Sequence, residues 1–402
     1  MDIGTISLVL LLGMLALLAI GMPLGFASGF LAVVVMVMKF GPDVVFGNFG
    51  TGPMNILAQR MYGLTTDYVL ISVPLFILMA TLLERSGIAR DMYTSMSMWL
   101  NRTRGGIALV TSMMAVVMAA MSGIIGGEVV LLGLIALPQM LRLGYDQNLA
   151  IGTICASGAL GTMIPPSIVL IFYGLITETS IHALFKGAFV PGLILAGGYM
   201  LYIIVRTRLN PSLAPLPEPS PDDMTGAEKK IYGSALLSMI AILVMAVSLV
   251  RTGFLIFFAR VDEFTTVLTS TQIMTRSGII VALVAYLLFF IRPERVVKAW
   301  HVGKGMISPL LVVGVVLGSI YGGITGITEA AGMGCVAVLV LIIVRGEFSV
   351  TLVREALMRT FKSTGTIIWV TFGATALAGA YTIAGGPSYV ANMIVGYDMP
   401  TL

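Results

Sequence analysis

The sequence predicts an all-α polytopic membrane protein with inverted-topology repeats, the first repeat carrying a re-entrant hairpin and a broken helix. Three observations predict this. Of 402 residues, 58% are hydrophobic and 10% charged, and the mean hydropathy is +1.01; soluble domains carry about 25% charged residues, so little room is left for one here. The apolar segments come in two similarly ordered sets of helix-length runs that read as membrane spans. And a run of Gly161-Thr162-Met163-Ile164-Pro165-Pro166-Ser167 interrupts a segment that is apolar on both sides, from Leu149 to Leu160 and from Ile168 to Ile176.

The elements follow in order. Residues 5–20 and 23–39 are two helices joined at a tight break, Gly21-Met22-Pro23. A third span, 69–84, ends near Ser86-Gly87. Residues 106–121 and 128–141 are each short for a crossing, and Ser122-Gly123-Ile124-Ile125-Gly126-Gly127-Glu128 separates them. Two short helices with small residues between them predict a hairpin, 106–141, that enters the membrane and returns to its own side. The broken helix, 149–177, comes next. Its successive prolines remove two backbone donors and clash with the preceding turn, so the helix cannot run through them. A full span at 187–205 closes the first set.

Residues 210–230 are rich in Pro, Ser and acid (Pro211, Pro215, Pro217, Pro219, Pro221, Asp222, Asp223) and predict an extended linker. Spans at 232–250 and 277–291 follow, joined by an external segment, 251–276, with Arg260, Asp262 and Glu263. The pattern of the first spans then recurs: 306–322 and 329–344 are joined at Gly323-Ile324-Thr325-Gly326-Ile327-Thr328-Glu329, and 364–384 ends at Gly385-Gly386-Pro387. The organisation predicted is a first repeat over 1–209, a linker with two connecting helices over 210–304, and a second repeat over 305–402. The second repeat stops where its own hairpin is due, so a second hairpin and a second broken helix are expected beyond Leu402.

Charge orients the topology. With the hairpin returning to its own side, Arg85, Arg90, Arg102, Arg104, Arg142, Arg206 and Arg208 share one face, against Lys39, Arg60 and Lys186 on the other. Seven against three makes the first face cytoplasmic and places the N-terminus outside. Arg292, Arg295, Lys298 and Lys304 return to the same cytoplasmic side. The start, Met1-Asp2-Ile3-Gly4, lacks a basic region and a small-residue cleavage site, so it reads as a retained first helix. The two sets of spans begin on opposite sides, which makes the repeat inverted.

A helix broken within the bilayer frees backbone groups that must find partners in protein, water or an ion. The hairpin tip (Ser122, Gly123, Gly126, Gly127, Glu128) and the break (Gly161, Thr162, Pro165, Pro166, Ser167) are therefore the candidate binding residues. Half-helix N-termini offer N–H groups to anions, and unwound carbonyls hold cations. Alkali cations want oxygen, which Ser122, Thr162 and Ser167 supply, so sodium is placed near Ser122 and Thr162. Each feature also has a purely structural reading: glycines that turn the chain and prolines that kink it. Glu128 has two readings as well, an ion or gating group in an apolar hairpin or a charge that stabilises the start of the second short helix. Thr325, Thr328 and Glu329 are the second-repeat candidates. There, Thr328 as a cap followed by an early acid resembles an ordinary helix start.

Other chemistry has no support. Cys155 and Cys335 are far apart in apolar runs and predict packing residues; His182 and His301 have no ligand partner nearby. No Gly-x-Ser-x-Gly, His-Glu-x-x-His or Walker loop is present, so neither an enzyme nor an ATP-driven pump is predicted, and no cofactor is expected besides a coupling ion.

These residues resemble a known family. Met121-Ser-Gly-Ile-Ile-Gly-Gly-Glu-Val-Val-Leu-Leu-Gly-Leu-Ile-Ala-Leu-Pro-Gln-Met140, Gly144-Tyr-Asp146, Gly161-Thr-Met-Ile-Pro-Pro-Ser-Ile168, Tyr173-Gly174, Pro191-Gly192 and Gly326-Ile-Thr-Glu-Ala-Ala331 closely resemble the large membrane subunit of TRAP transporters, the DctM-type permease. The resemblance implies the ion transporter fold with an elevator-like mechanism, in a bacterial or archaeal inner membrane. It implies sodium-coupled import of small organic acids, with an extracytoplasmic solute-binding protein and a small four-helix membrane subunit as partners. It carries over to Ser122, Gly123, Gly126, Gly127, Gly161, Thr162, Pro165, Pro166 and Ser167. The chain departs from the family at its C-terminal end and in the longer 251–276 segment. Two alternatives stay open: a stand-alone sodium/dicarboxylate carrier, and a membrane scaffold subunit that does not itself transport.

Overall fold

A computed structural model describes residues 2–46, 52–123, 125–217, 224–258 and 270–395, and all regular structure among them is helical. The N-terminal part comprises α1 (Ile3–Ala19), α2 (Leu24–Phe40), the single turn α3 (Asp43–Phe46), α4 (Pro53–Thr66), α5 (Ser72–Arg85) and α6 (Ile88–Leu100). The hairpin is α7 (Gly106–Ser122) and α8 (Ile125–Arg142). The broken helix is α9 (Gln147–Gly158) and α10 (Ile168–Thr177), and α11 (Ile181–Leu209) follows it. The rest is α12 (Gly226–Phe258), α13 (Ser270–Ala285), α14 (Pro293–Tyr321), α15 (Ile327–Val344), α16 (Val350–Ile383) and α17 (Gly386–Val395). Seven segments among the described residues are long and apolar enough to cross a membrane: 68–85, 181–209, 226–246, 271–291, 293–321, 327–344 and 350–383. The chain is a multi-pass α-helical membrane protein.

The predicted joints fall where the helices end. α1 and α2 part at Gly21, whose φ of +88° suits glycine, and α7 meets α8 around Gly123. Several helices are longer than their apolar cores. α14 starts at Pro293 rather than 306 and α16 at Val350 rather than 364, because each begins with a charged, amphipathic stretch that hydropathy does not register. α12 runs on to Phe258 and α13 starts at Ser270, which shortens the predicted 251–276 segment; Arg260, Asp262 and Glu263 lie outside the described residues. So do Pro219, Pro221, Asp222 and Asp223 of the linker. The beginning of that linker is not free chain. Pro211–Leu213 forms a 3-10 turn, Asp146 N–H donates to Leu213 O at 2.9 Å, and Ala214 is fully buried.

Helices α4 and α6 are among those that hydropathy does not mark. α4 begins with Pro53 at its first turn and carries polar residues along most of its length. α6 buries Ile88, Ala89, Met92, Tyr93 and Met96 on one face, at spacings of one, three and four residues. Its outer face carries Asp91, which pairs with Arg345 just past α15.

The main core gathers α5, α6, α7, α8, α9, α14 and α15, with Phe76, Met79, Met92, Tyr93 and Met114 buried at its centre. A second core joins α1, α2, α4 and the latter half of α16. α16 lies against both α2 and α5, and α15 lies against α5 and α14. Small residues set the distance of these crossings: a Cβ on Gly373 of α16 would sit 2.3 Å from the Gly25 carbonyl oxygen of α2. Two ion pairs join one end of α5 to the beginning of α16, Glu84–Arg359 at 2.9 Å and Arg85–Glu355 at 2.6 Å. The cysteines divide. Cys335 is buried and donates its S–H to Leu75 O at 3.0 Å, whereas Cys155 is exposed on α9, contrary to its predicted packing role, because nothing among the described residues covers it.

Candidate functional site

The hairpin tip and the helix break touch. α9 loses α-geometry at Ala159, passes through a 3-10 turn to Thr162, and leaves helical structure until Ile168. The irregular stretch is buried: Ile164, Pro165, Pro166 and Ser167 are all inside, and the Pro165–Pro166 peptide is cis. Ser167 restarts the chain as the N-cap of α10, with the Leu170 N–H pointing at its hydroxyl over a long 3.5 Å. Thr162 donates its hydroxyl to Ala159 O at 3.0 Å, which ties it to its own turn.

Gly123 is the contact point. Its φ is +61°, and an added Cβ would lie 2.5 Å from Pro166 O, 3.2 Å from Ile168 N and 3.3 Å from Ser167 Cα. All three atoms are backbone, so only a glycine admits this approach. Ile168 N–H in turn points at Gly123 O at 3.4 Å. Gly161 makes the second close contact, because a Cβ there would meet the Glu128 carboxylate at 2.7 Å. By contrast, Gly126 and Gly127 have nothing within 4 Å of an added Cβ. They border open space rather than packed protein.

Glu128 is the most constrained charge in this region. It is 2% exposed and sits in the first turn of α8. Its Oε1 accepts the Ser122 hydroxyl, while Oε2 is buried without a hydrogen-bond partner among the described residues. A buried carboxylate oxygen left unpaired is expensive, so this atom marks the place where a further group is wanted. Next to it is a small crevice of about 80 Å³, bounded by the hairpin, α5 and α16. Ser122, Gly127, Glu128, Thr81, Glu84 and Arg359 line it. A volume of this size accommodates two or three waters at about 30 Å³ each.

The sequence singled out Ser122, Gly123, Gly127, Glu128, Gly161 and Ser167, and the fold brings them together. It did not single out Thr81, Glu84 or Arg359. Glu84 and Arg359 were legible only as charges near the ends of spans, and their convergence depends on α16 lying along α5. The second-repeat candidates sit elsewhere. Thr328 lies inside α15 rather than capping it; the N-cap is Gly326, which makes no side-chain cap bond. Thr328 donates its hydroxyl to Tyr68 O at 3.3 Å, and the Tyr68 hydroxyl donates to Glu329 Oε1 at 3.1 Å. These bonds pin α15 to the turn before α5, at the far end of α5 from Glu84. Thr325 keeps a buried hydroxyl without a partner among the described residues. His182 borders a separate cavity of about 450 Å³ with Asp67, Glu178 and Thr179.

A polytopic helical chain in which a hairpin tip abuts a proline-broken helix has the architecture of a secondary transporter. Residues 11–402 match the family described as Tripartite ATP-independent periplasmic transporter, DctM component. The chain belongs to that family. It is 32% identical over 207 residues to the C4-dicarboxylate TRAP transporter large permease protein DctM of Pseudomonas aeruginosa, a stretch covering 51% of this chain and 46% of the relative. It is 30% identical to the ectoine TRAP transporter large permease protein TeaC of Halomonas elongata, covering 48% of this chain and 43% of the relative. Against the sialic acid TRAP transporter large permease protein SiaM of Vibrio cholerae the identity is also 30%, covering 57% and 51%. The matched stretches thus span about half the length of these relatives. All three are named as transporter permeases and none as an enzyme, in keeping with the lack of a catalytic motif.

Proposed function

We propose that this chain acts as the large permease of a sodium-driven, binding-protein-dependent importer of small organic acids in an inner membrane. The observation that carries this reading is the buried contact of Gly123 with Pro166 and Ser167, beside a Glu128 oxygen that has no partner among the described residues. A desolvated alkali cation takes oxygen donors, and the contact supports this reading because Ser122 and Glu128 at the tip and Pro166 O at the break supply oxygens in this region. Sodium would lie near Ser122 and Thr162, with the substrate bordering the open side of Gly126. The helix pairings support the repeat reading: α2 against α16 and α5 against α15 are the two packings that a twofold relation of 1–209 to 305–402 would exchange. The charge distribution supports an external N-terminus. The three relatives carry substrate names as different as a C4-dicarboxylate, ectoine and sialic acid, so the acid class follows from the majority of these names and the particular acid is left to assay.

The test is uptake into proteoliposomes by the full-length natural protein, together with any solute-binding protein and small membrane subunit found to be encoded beside it. A panel of dicarboxylates, sialic acid and ectoine is offered under an inward sodium gradient. Uptake that vanishes when sodium is replaced by choline is the expected result; sodium-independent uptake, or none, overturns the proposal. Undiminished uptake without the binding protein would establish the stand-alone carrier instead. Pro165→Ala with Pro166→Ala should restore helix through the break and abolish sodium-driven uptake, and unchanged uptake would remove the break from the mechanism.

A further inference from the structure

A second cleft, of about 250 Å³, runs between α9 and α11, apart from the hairpin contact. One wall is made of small residues, Gly152 and Ala156 of α9. The other is made of Tyr199, Tyr202 and Ile203 of α11. Thr153 and Ser157 form a buried floor. The Ser157 hydroxyl is already bonded to that of Ser112 at 2.8 Å, so the inner end does not call for a polar ligand.

The mouth has a different character. Asp146, Asn148 and Arg206 surround it, with Leu213 of the linker beside them. The Asp146 carboxylate is committed to α9, accepting the Leu149 N–H at 3.0 Å, where the helix dipole offsets its charge. Arg206 is exposed and makes no ion pair among the described residues. Arg142 and Arg208 lie at the ends of α8 and α11 on the same side, so the local potential is positive. Tyr202 is 61% exposed at this end of α11, the position where an aromatic belt residue meets lipid headgroups. Most of the apolar surface of α11 faces outward.

An apolar shaft that opens at a free guanidinium and a tyrosine, on a helix face directed at hydrocarbon, fits an anionic amphiphile. A guanidinium matches a phosphate with parallel N–H donors, and basic pockets between membrane helices hold anionic headgroups. We propose that this cleft binds one anionic phospholipid, its phosphate on Arg206 and Asn148 and the beginning of one acyl chain between Gly152, Ala156, Tyr199 and Ile203. The volume suits a glycerophosphate and the first methylenes, and the remaining hydrocarbon lies along the outer face of α11. A bound lipid here would join α9, which leads into the helix break, to α11 and the linker start, and so would stiffen the support of the hairpin site.

The experiment is native mass spectrometry of the purified full-length protein after exchange into detergent with equal amounts of phosphatidylglycerol and phosphatidylcholine. One phosphatidylglycerol should be retained in preference. Arg206→Gln should lower that retention about fivefold or more, the worth of one basic residue at an anionic membrane surface; Arg206→Lys should keep most of it. Ala156→Leu, which fills the shaft with every charge in place, should also lower retention, while Arg208→Gln should not. Equal retention of both lipids, or full retention by Arg206→Gln, overturns the proposal. So does displacement of the lipid by millimolar inorganic phosphate, which would show a phosphate site without an acyl chain. The wild-type lipid preference decides the matter even if a variant folds poorly, and none of these readouts depends on transport.

Discussion

Gly123 and Gly126 are three residues apart in the hairpin, and the geometry predicts opposite effects when each becomes alanine. At Gly123 the φ of +61° costs an alanine about 1–2 kcal/mol. The new Cβ would also lie 2.5 Å from Pro166 O, with backbone atoms of Ser167 and Ile168 at 3.2 to 3.3 Å. Backbone cannot rotate away, so tip and break must separate, at an overpacking cost of about 1–3 kcal/mol. The total loss is about 2–5 kcal/mol. Gly126 is helical and its Cβ would meet nothing within 4 Å; replacing a helical glycine by alanine gains up to about 1 kcal/mol. The assay is the unfolding free energy of each purified full-length variant in one detergent, with sodium-driven uptake measured on the same preparations. Gly123→Ala within about 0.5 kcal/mol of wild type would refute the packed-tip argument. A Gly126→Ala variant that is stable yet impaired in uptake would show that the open side of the tip is occupied during transport.

Three further outcomes follow from the same contacts. Gly161→Ala should cost about 1–3 kcal/mol by crowding Glu128, and most of that cost should disappear in a Glu128→Ala background; a coupling energy near zero in the double-mutant cycle would show that the carboxylate is not what Gly161 accommodates. Glu128→Gln keeps a partner for Ser122 but removes the charge, so it should raise the sodium concentration for half-maximal uptake at least tenfold with no loss of stability, whereas a charge that only stabilises α8 would show a stability loss with sodium dependence unchanged. Arg359→Gln should cost no more than about 1 kcal/mol, since its side chain is 38% exposed, and adding Glu84→Gln should recover part of it; a double variant as unstable as the sum of the singles would show that the two do not act as a pair.

The parts of the fold that were legible were those in which hydropathy and punctuation agree. Gly21-Met22-Pro23, the Gly123 turn and Pro165-Pro166 each combine a backbone constraint with flanking apolar runs, so the local sequence suffices to end a helix there. The extra turns of α14 and α16 were not legible, because a helix does not stop where it leaves hydrocarbon and charged residues extend it at little cost. α6 was missed for a related reason. Its apolar residues form one stripe, and averaging over a window cancels a stripe against the polar face that α6 turns outward. Thr328 shows the opposite failure: a hydroxyl followed by an acid satisfies a local rule for a helix start, but Tyr68 was available across space and the cap fell to Gly326.

The candidate site divides along the same line. Its tip and break were legible because irregular backbone inside a membrane is costly enough to leave a mark in composition. Its outer wall was not, because Glu84 and Arg359 are 275 residues apart in sequence and each is unremarkable as a charge near the end of a helix. Their pairing has a consequence for what the crevice can hold. With Glu84 and Arg359 neutralising one another, Glu128 is, among the described residues, the one carboxylate lining the crevice that is left without an ionic partner. A small cation could balance that charge within about 80 Å³, whereas an organic anion would meet repulsion as well as too little room. Under the proposed sodium coupling the crevice would suit the ion, and the substrate would lie on the other side of the tip, where Gly126 is exposed and unobstructed.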